Sequence, residues 1–239
     1  MPSPNALWQM DFKGPVAMGR GRLHPLTVID DHSRYAVALQ ATDNERRQTV
    51  QNGVQAAFER YGLPDVILTD NGKPWGDKLE QPLTKFSVWL IEHGVAPWHS
   101  RPYHPQSHGK NERFNRTLKT ELLDNRTFSD LDQAQQAFDA WLDRYNHHRP
   151  QDALGLAVPA DRYRPSPRSF TPLILPFDYG PDDIVRRVDH EGRISFRNRR
   201  LKASGALAGK DVALRPTPND GAFELVFRHV CVKSIDLNQ

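Results

Sequence analysis

Three carboxylates in this 239-residue chain stand where a charge is costly. Asp11 interrupts the apolar run Leu7-Trp8-Gln9-Met10-Asp11-Phe12, Asp70 directly follows the aliphatic Val66-Ile67-Leu68-Thr69, and Glu112 falls in the first turn of a predicted helix that starts at Gly109. A charged group at the end of a core element loses hydration, and it is usually tolerated when a partner or a metal neutralises it. Three carboxylates arriving from two strands and a helix would form an all-oxygen cage of the kind that Mg²⁺ or Mn²⁺ selects. Two such ions held roughly 3.5–4 Å apart activate a nucleophilic oxygen and stabilise the leaving oxygen of an in-line phosphodiester displacement. A protein built this way needs no nucleophile of its own. Each acid alone also fits an ordinary role: Asp11 as an acceptor of backbone bonds, Asp70 as a turn residue, Glu112 as a favourable charge at a helix N-terminus. Asp30 and Asp31, which also follow an apolar strand, read as hairpin-turn residues.

The elements that must position these acids are legible as a change of period. Leu7–Phe12, Leu26–Ile29, Tyr35–Leu39, Val66–Thr69 and Val95–Trp98 read as five strands, the second and third joined as an antiparallel hairpin. Helical spacing of Val50, Val54, Ala57, Phe58 and Tyr61 predicts a helix over Arg46–Tyr61, stopped by Gly62 and Pro64. Further helices are predicted at Leu83–His93, at Gly109–Leu123 with Phe114, Leu118 and Leu122 buried, and at Asp130–His147, with Ser129 and Asp132 as capping candidates. Strands first and then alternating helix and strand imply an α/β fold, a mixed five-stranded sheet flanked by helices, over residues 1–147. Six prolines between His148 and Pro176 mark residues 148–176 as a linker, and short apolar runs from Asp183 onward predict a small all-β module at 177–239.

Composition narrows the classes. Lysine and arginine number 32 against 29 acids, and the hydrophobic fraction is 38%. No apolar run approaches the roughly 20 residues that cross a bilayer, and the start Met1-Pro2-Ser3-Pro4 lacks an export signal, so a cytoplasmic protein is expected. The single Cys231 excludes an internal disulfide and a Cys-rich zinc module, and its flanks, Val230 and Val232, suggest a small buried residue. Residues 1–159 carry 18 basic and 19 acidic groups, whereas residues 160–239 carry 14 and 10. Between Ile184 and Arg215 nine basic residues face three acidic ones, a pattern suited to a polyanion or to a solvated surface.

With these residues in view the chain resembles the DDE transposases and retroviral integrases. The likeness lies in Trp8-Gln9-Met10-Asp11-Phe12, in Leu68-Thr69-Asp70-Asn71-Gly72 and above all in His104-Pro105-Gln106-Ser107-His108-Gly109-Lys110-Asn111-Glu112-Arg113-Phe114-Asn115, and it looks closest to bacterial insertion-sequence transposases. The resemblance implies an RNase H-like core, Asp11, Asp70 and Glu112 as catalytic and metal-binding triad, and two Mg²⁺ or Mn²⁺ ions per active site. It implies metal-dependent 3′-end cleavage and strand transfer on double-stranded DNA, transposon ends and target alike, by a homo-oligomer in the bacterial cytoplasm, at the nucleoid when on DNA. Lys119 matches the family's basic residue seven positions after the glutamate. Two features depart from the pattern. The 41 residues between Asp70 and Glu112 exceed the retroviral spacing, which places an insertion near residues 74–83, and the chain starts almost at the first catalytic strand, as a fragment without an N-terminal helix-turn-helix would.

Glu112, Asn115, Arg116 and Lys119 lie three, four and seven residues apart, hence on one helical face opposite Phe114 and Leu118. Lys110, Arg113, Asn115, Arg116 and Lys119, together with His104, are expected to contact DNA, although a solvated face with helical ion pairs is the alternative. Trp75 suits either stacking on an unpaired base or anchoring a loop. The β module, with Arg197, Arg199 and Arg200, resembles the small C-terminal SH3-like barrels of integrases by position, size and charge, which implies sequence-tolerant DNA binding or subunit contact. Two other readings stay open: a nonspecific RNase H-like nuclease, and a noncatalytic DNA-binding regulatory fragment.

Overall fold

The structure is a computed structural model that describes residues 1–70, 75, 83–99 and 109–238. Its elements run β1 (Trp8–Phe12), β2 (Val16–Ala17), β3 (Arg22–Asp30), β4 (Ala36–Thr42), α1 (Arg47–Tyr61), β5 (Val66–Thr69), α2 (Lys85–Glu92), β6 (Ala96–His99), α3 (Gly109–Leu118), α4 (Leu131–His147) and the short α5 (Pro159–Arg162). They are followed by β7 (Ile184–Arg187), β8 (Arg193–Phe196), β9 (Arg199–Lys202), β10 (Asp211–Pro216), β11 (Ala222–Phe227) and β12 (Val230–Asp236). The chain forms two compact units, residues 1–74 with 97–171, and residues 75–96 with 172–239.

In the first unit the sheet order is β2-β3-β1-β5-β6, with β4 beside β3. The five expected strands are all present, and the two-residue β2 makes a sixth at the edge. β1 pairs antiparallel with β3, Asp11 opposite Thr27, and parallel with β5, Trp8 opposite Ile67 and Gln9 opposite Leu68. Because side chains alternate along a strand, β1 serves two layers. Trp8 meets Phe58 of α1 at a ring separation of 5.8 Å, while Gln9 and Asp11 point to the layer that holds α3. That layer is aromatic: Phe114, Phe128, Phe138, Trp141 and Tyr145 are buried with Leu23, Ile29 and Leu39. Burial of each such ring contributes about 1.5–3 kcal/mol.

Two local expectations are corrected by the structure. The helix predicted through Leu123 is α-helical only to Leu118 and then widens into a π turn over Lys119–Leu123. The extra residue in that turn brings Leu122 and Leu123 both into the core, at 8% and 7% exposure, which a regular α-turn face serves less well. α4 is capped by Asp130, whose carboxylate accepts the Gln133 N–H, and not by Ser129 or Asp132.

The Pro-rich stretch does not run free as a linker. As far as Thr171 it belongs to the first unit. Tyr163 stacks on Tyr35 at 4.3 Å and donates its hydroxyl to Asn5, the Ser166 N–H donates to the Tyr61 carbonyl at the end of α1, and the Arg168 carbonyl accepts the Leu63 N–H. Gly62 permits this: its φ is +78°, and a Cβ there would stand 2.7 Å from the Ser166 carbonyl oxygen.

The second unit has a four-stranded antiparallel sheet, β12-β11-β10-β7, and the β8-β9 hairpin, around a core of Ile194, Phe196, Val212, Leu214, Phe223, Leu225 and Phe227. α2 adds Val88 and Ile91 to that core. Trp75, 3% exposed, packs on Phe86 at 6.1 Å, so it is an anchor and not a free stacking platform. Cys231 is exposed, not buried: alternation on edge strand β12 turns it away from the half-buried Val230 and Val232. Among the described residues no helix is long and apolar enough to cross a membrane.

Candidate active site

The parallel register of β1 and β5 explains how Asp11 and Asp70 meet. Gln9 and Leu68 are partners, and each acid lies two residues further along its own strand direction, on the same side of the sheet. Their proximity appears in the chemistry of Asp11: its carboxyl is pushed up to about 6, first by burial and next by the charge of Asp70, against the Phe12 N–H and Lys13, which favour the anion. Asp11 Oδ2 accepts a hydrogen bond from Asn115 Nδ2 at 3.2 Å. On the far side of β5, His99 Nδ1 lies 3.1 Å from Thr69 Oγ1 and 3.4 Å from the Asp70 carbonyl oxygen, which ties β6 to the end of β5.

α3 is fixed to the sheet by a buried polar network that sequence reasoning misses. Asn111, 1% exposed, donates its backbone N–H to Gln9 Oε1 at 3.2 Å, and its Oδ1 lies 3.2 Å from Thr27 Oγ1. The Thr27 hydroxyl is also 3.0 Å from the Asp11 carbonyl oxygen, and its single proton serves one of the two. Gln9 Nε2 donates to Asp31 Oδ1 at 2.8 Å, and Lys110 Nζ reaches Asp31 Oδ2 at 2.7 Å. Burial alone would raise the Asp31 carboxyl, but Lys110 and the Met1 ammonium hold it below the usual carboxylate range. Asp31 is therefore a brace for α3, while Asp30, bonded to Ser33 and to the Asn5 N–H, closes the hairpin turn as predicted. One signal is available: Asn111 is a polar residue three positions before Phe114, on the side of the helix that periodicity assigns to the interior.

The remaining predicted contacts separate. Glu112 is exposed, one helical turn before Asn115, and among the described residues no group of three His, Cys, Asp or Glu side chains is close enough to enclose a metal ion. Lys110 is committed to Asp31 and is a strut, not an open phosphate contact. Asn115 is 6% exposed and faces Asp11 instead of solvent, because the helix face it occupies is turned to the sheet. Arg113 and Arg116 are exposed, and Lys119 stands at the start of the π turn, 4.0 Å from Asp124, a pair exposed enough to contribute little. His104 and the turn residues Asn71 and Gly72 lie outside the described residues, as does most of the stretch 74–83. In the second unit Arg197, Arg199 and Arg200 are exposed on the β8-β9 hairpin. Arg197 lies over Phe196 and Phe223 at 5.4 and 5.2 Å, and Arg200 pairs with Asp189 at 3.4 Å.

A mixed sheet between helices, with two acids at the ends of neighbouring parallel strands, defines an RNase H-like core of the retroviral integrase type. Matching structures agree on the fold. The simian T-cell lymphotropic virus intasome in complex with a PP2A regulatory subunit superposes with a TM-score of 0.58 at 17% identity, covering 99% of this chain and 81% of that one. The magnesium-bound HTLV-2 integrase catalytic core gives a TM-score of 0.50 at 18% identity over 67% of this chain and 97% of that one. Two family models, each described as integrase core domain, match residues 2–105 and 93–159, and the model for the IS481 family transposase C-terminal domain matches residues 183–239. The chain belongs to the DDE transposase and integrase superfamily. A putative transposase for insertion sequence element IS5376 of Geobacillus stearothermophilus is 26% identical over 86% of this chain and 51% of its own length. A protein of insertion element IS476 from Xanthomonas euvesicatoria is 29% identical over 66% of this chain and 44% of its own. The chain thus spans about half the length of the curated relatives it matches.

Proposed function

We propose that this chain carries the catalytic centre of a DNA transposase, with Asp11, Asp70 and Glu112 as its acidic residues. The observation that carries the reading is the Asp11–Asp70 pair: a desolvated carboxyl raised to about 6 beside a second carboxylate, at the ends of adjoining strands. Such a pair is destabilised until a cation arrives, and an all-oxygen donor set suits magnesium or manganese. Divalent ions supply, when bound, the charge that activates water and offsets the leaving oxygen. Asp11 and Asp70 would hold them, Glu112 would complete the donor set from α3, and Asn115 orients Asp11 Oδ2. In the first step water attacks a phosphodiester, and the departing oxygen becomes a free 3′-OH. In the second that 3′-OH attacks a target phosphodiester and releases a target 3′-OH, so the number of phosphodiester bonds is conserved and no covalent enzyme intermediate forms. The exposed arginines of the β8-β9 hairpin fit sequence-tolerant contact with duplex DNA, and a reaction on two ends suits a homo-oligomer.

The test is a joining assay with a pre-cut duplex end and Mg²⁺ or Mn²⁺. Asp11→Asn is expected to lower strand transfer by roughly 10³-fold or more, the scale for one member of a group that acts as a unit. Full activity in that variant refutes the assignment, and hydrolysis without joining by the unsubstituted chain makes it a plain nuclease.

A further inference from the structure

Away from the Asp11–Asp70 pair, the first unit contains a cavity of about 450 Å³ between the start of α3, the β3–β4 turn and the chain that follows α4. That volume is ligand-sized. Its lining is cationic: Arg34, Lys110, Arg113 and Arg149, against Asp152 as the one carboxylate among the described lining side chains. Two of the four cations are already compensated, Lys110 by Asp31 and Arg149 by Glu121 at 2.8 Å. The other two are not. Arg113 makes no ion pair among the described residues. Arg34 hydrogen-bonds only uncharged groups, the backbone carbonyls of Asp31 and His32, which orient the guanidinium without neutralising it. Its own backbone is held at φ +65°, a conformation that a non-glycine residue adopts at a cost.

Two residues with neutral donors belong to the same lining, Gln151 and Tyr145. Gln151 is tied down through its backbone, which bonds Ala157, Leu154 and Leu156, yet its side-chain Nε2 is buried with no partner. A buried amide nitrogen without an acceptor is costly, and turning the side chain toward the cavity lets a ligand oxygen relieve that cost. The Tyr145 hydroxyl is the second. Burial pushes its pKa up to about 12 while Arg149, Arg34 and Arg113 pull the other way, so it is a neutral donor within reach of three guanidinium fields. Uncompensated guanidinium groups beside buried amide and phenol donors match a tetrahedral oxyanion.

We propose that this pocket binds a phosphate group, supplied in the working protein by the DNA backbone at a phosphate that does not react. Its assignment to DNA rests on the transposase reading. The assay is fluorescence anisotropy of a labelled random-sequence duplex with the full chain in chelator, so that no chemistry is needed, over about 50–200 mM salt. Arg34→Gln and Arg113→Gln together are expected to reduce the slope of log affinity against log salt by about 0.9 to 1.8, each single variant by up to about 0.9, whereas Arg60→Gln on α1 is the control matched in charge to each single variant and leaves it unchanged. Gln151→Leu, which alters no charge, weakens binding at fixed salt, and the isosteric Gln151→Glu weakens it further. A general electrostatic field would not register Gln151→Leu. In a second arm inorganic phosphate raises the thermal midpoint of the unsubstituted chain more than that of the double arginine variant.

Slopes equal to the Arg60→Gln control, together with equal phosphate responses, overturn the pocket. Loss of the phosphate response with an unaltered DNA slope overturns the assignment to DNA and makes this a free-anion site. A chain that joins ends while the pocket variants bind normally refutes only the pocket; a chain that fails to join ends leaves the binding result readable.

Discussion

The two units use charge in opposite ways. In the first, the groups that matter are buried and interlocked: Asn111 and Asn115 are 1% and 6% exposed, and Asp31 gathers Gln9 and Lys110 in a single network. In the second, Arg187, Arg193 and Arg200 are solvent-facing, and their partners Asp211, Glu191 and Asp189 lie at the surface too. Buried polar interactions are broken at a steep cost when one partner is removed, whereas exposed ion pairs contribute roughly 0–1 kcal/mol. The first unit therefore encodes geometry, and the second encodes attraction. A substitution in the buried network of the first should alter the rate at saturating DNA, and a substitution among the exposed arginines of the second should alter the amount of DNA bound.

The sharpest way to break this contrast after Asp11→Asn is Asn111→Ala. It removes the Asn111 side-chain tie to Thr27 and loosens α3 on β3, while the Thr27 hydroxyl keeps the Asp11 carbonyl oxygen, so a loss of about 0.5–1.5 kcal/mol in urea unfolding and a fall in strand transfer on the order of 10²-fold at saturating DNA are expected. An unchanged rate at unchanged stability would mean that α3 is placed by its apolar face alone. Next in size is the replacement of Arg197, Arg199 and Arg200 by Gln. Every phosphate that these side chains cease to neutralise lowers the salt slope of DNA binding by about 0.9, with single-turnover joining at saturating DNA unaltered. A drop in the saturated rate would erase the division of labour between the units.

The smallest expected effect is one of pH. Hydrogen bonding from Arg215, whose side chain is 50% exposed, holds the carboxyl of Asp183, whose side chain is 4% exposed, below its ordinary value of 3.8. A depressed folded-state pKa gives stability that is present above the unfolded pKa and is lost as the pH falls through the folded one. The Asp183→Asn variant should thus differ from the parent in thermal midpoint at neutral pH, and the difference should shrink below about pH 4. A difference that persists undiminished in acid would show that the pair contributes packing and not charge.

How much of this is legible in the sequence depends on the distance over which the information acts. β5 occupies Val66–Thr69 as predicted, and α4 lies within one residue of its expected start, because period and turn residues are local. The Asp11–Asp70 pair is readable from two acids at the ends of aliphatic strands, a local oddity in each case. The network under α3 is not, since its hydrogen bonds join residues 79, 84, 102 and 104 apart. No spacing rule links Asp31 to Lys110, and an aspartate at a hairpin turn looks ornamental until a lysine arrives from elsewhere. Lys119 shows the reverse error. The helical pattern is real, but the π turn that begins there satisfies Leu122 and Leu123 together, and a 3.6-residue period carries no sign of it. Cys231 misleads because an apolar tripeptide says nothing about which face of an edge strand it occupies.

The parallel seam between β1 and β5 has an architectural consequence. The two acids are brought side by side by the register of their own strands, made a few residues upstream of each, so whatever is threaded between them is a detachable excursion. Lengthening the β2–β3 turn or trading α1 for another amphipathic helix would leave the spacing of the pair untouched, whereas slipping either strand by a single residue would send one acid through to the opposite side of the sheet.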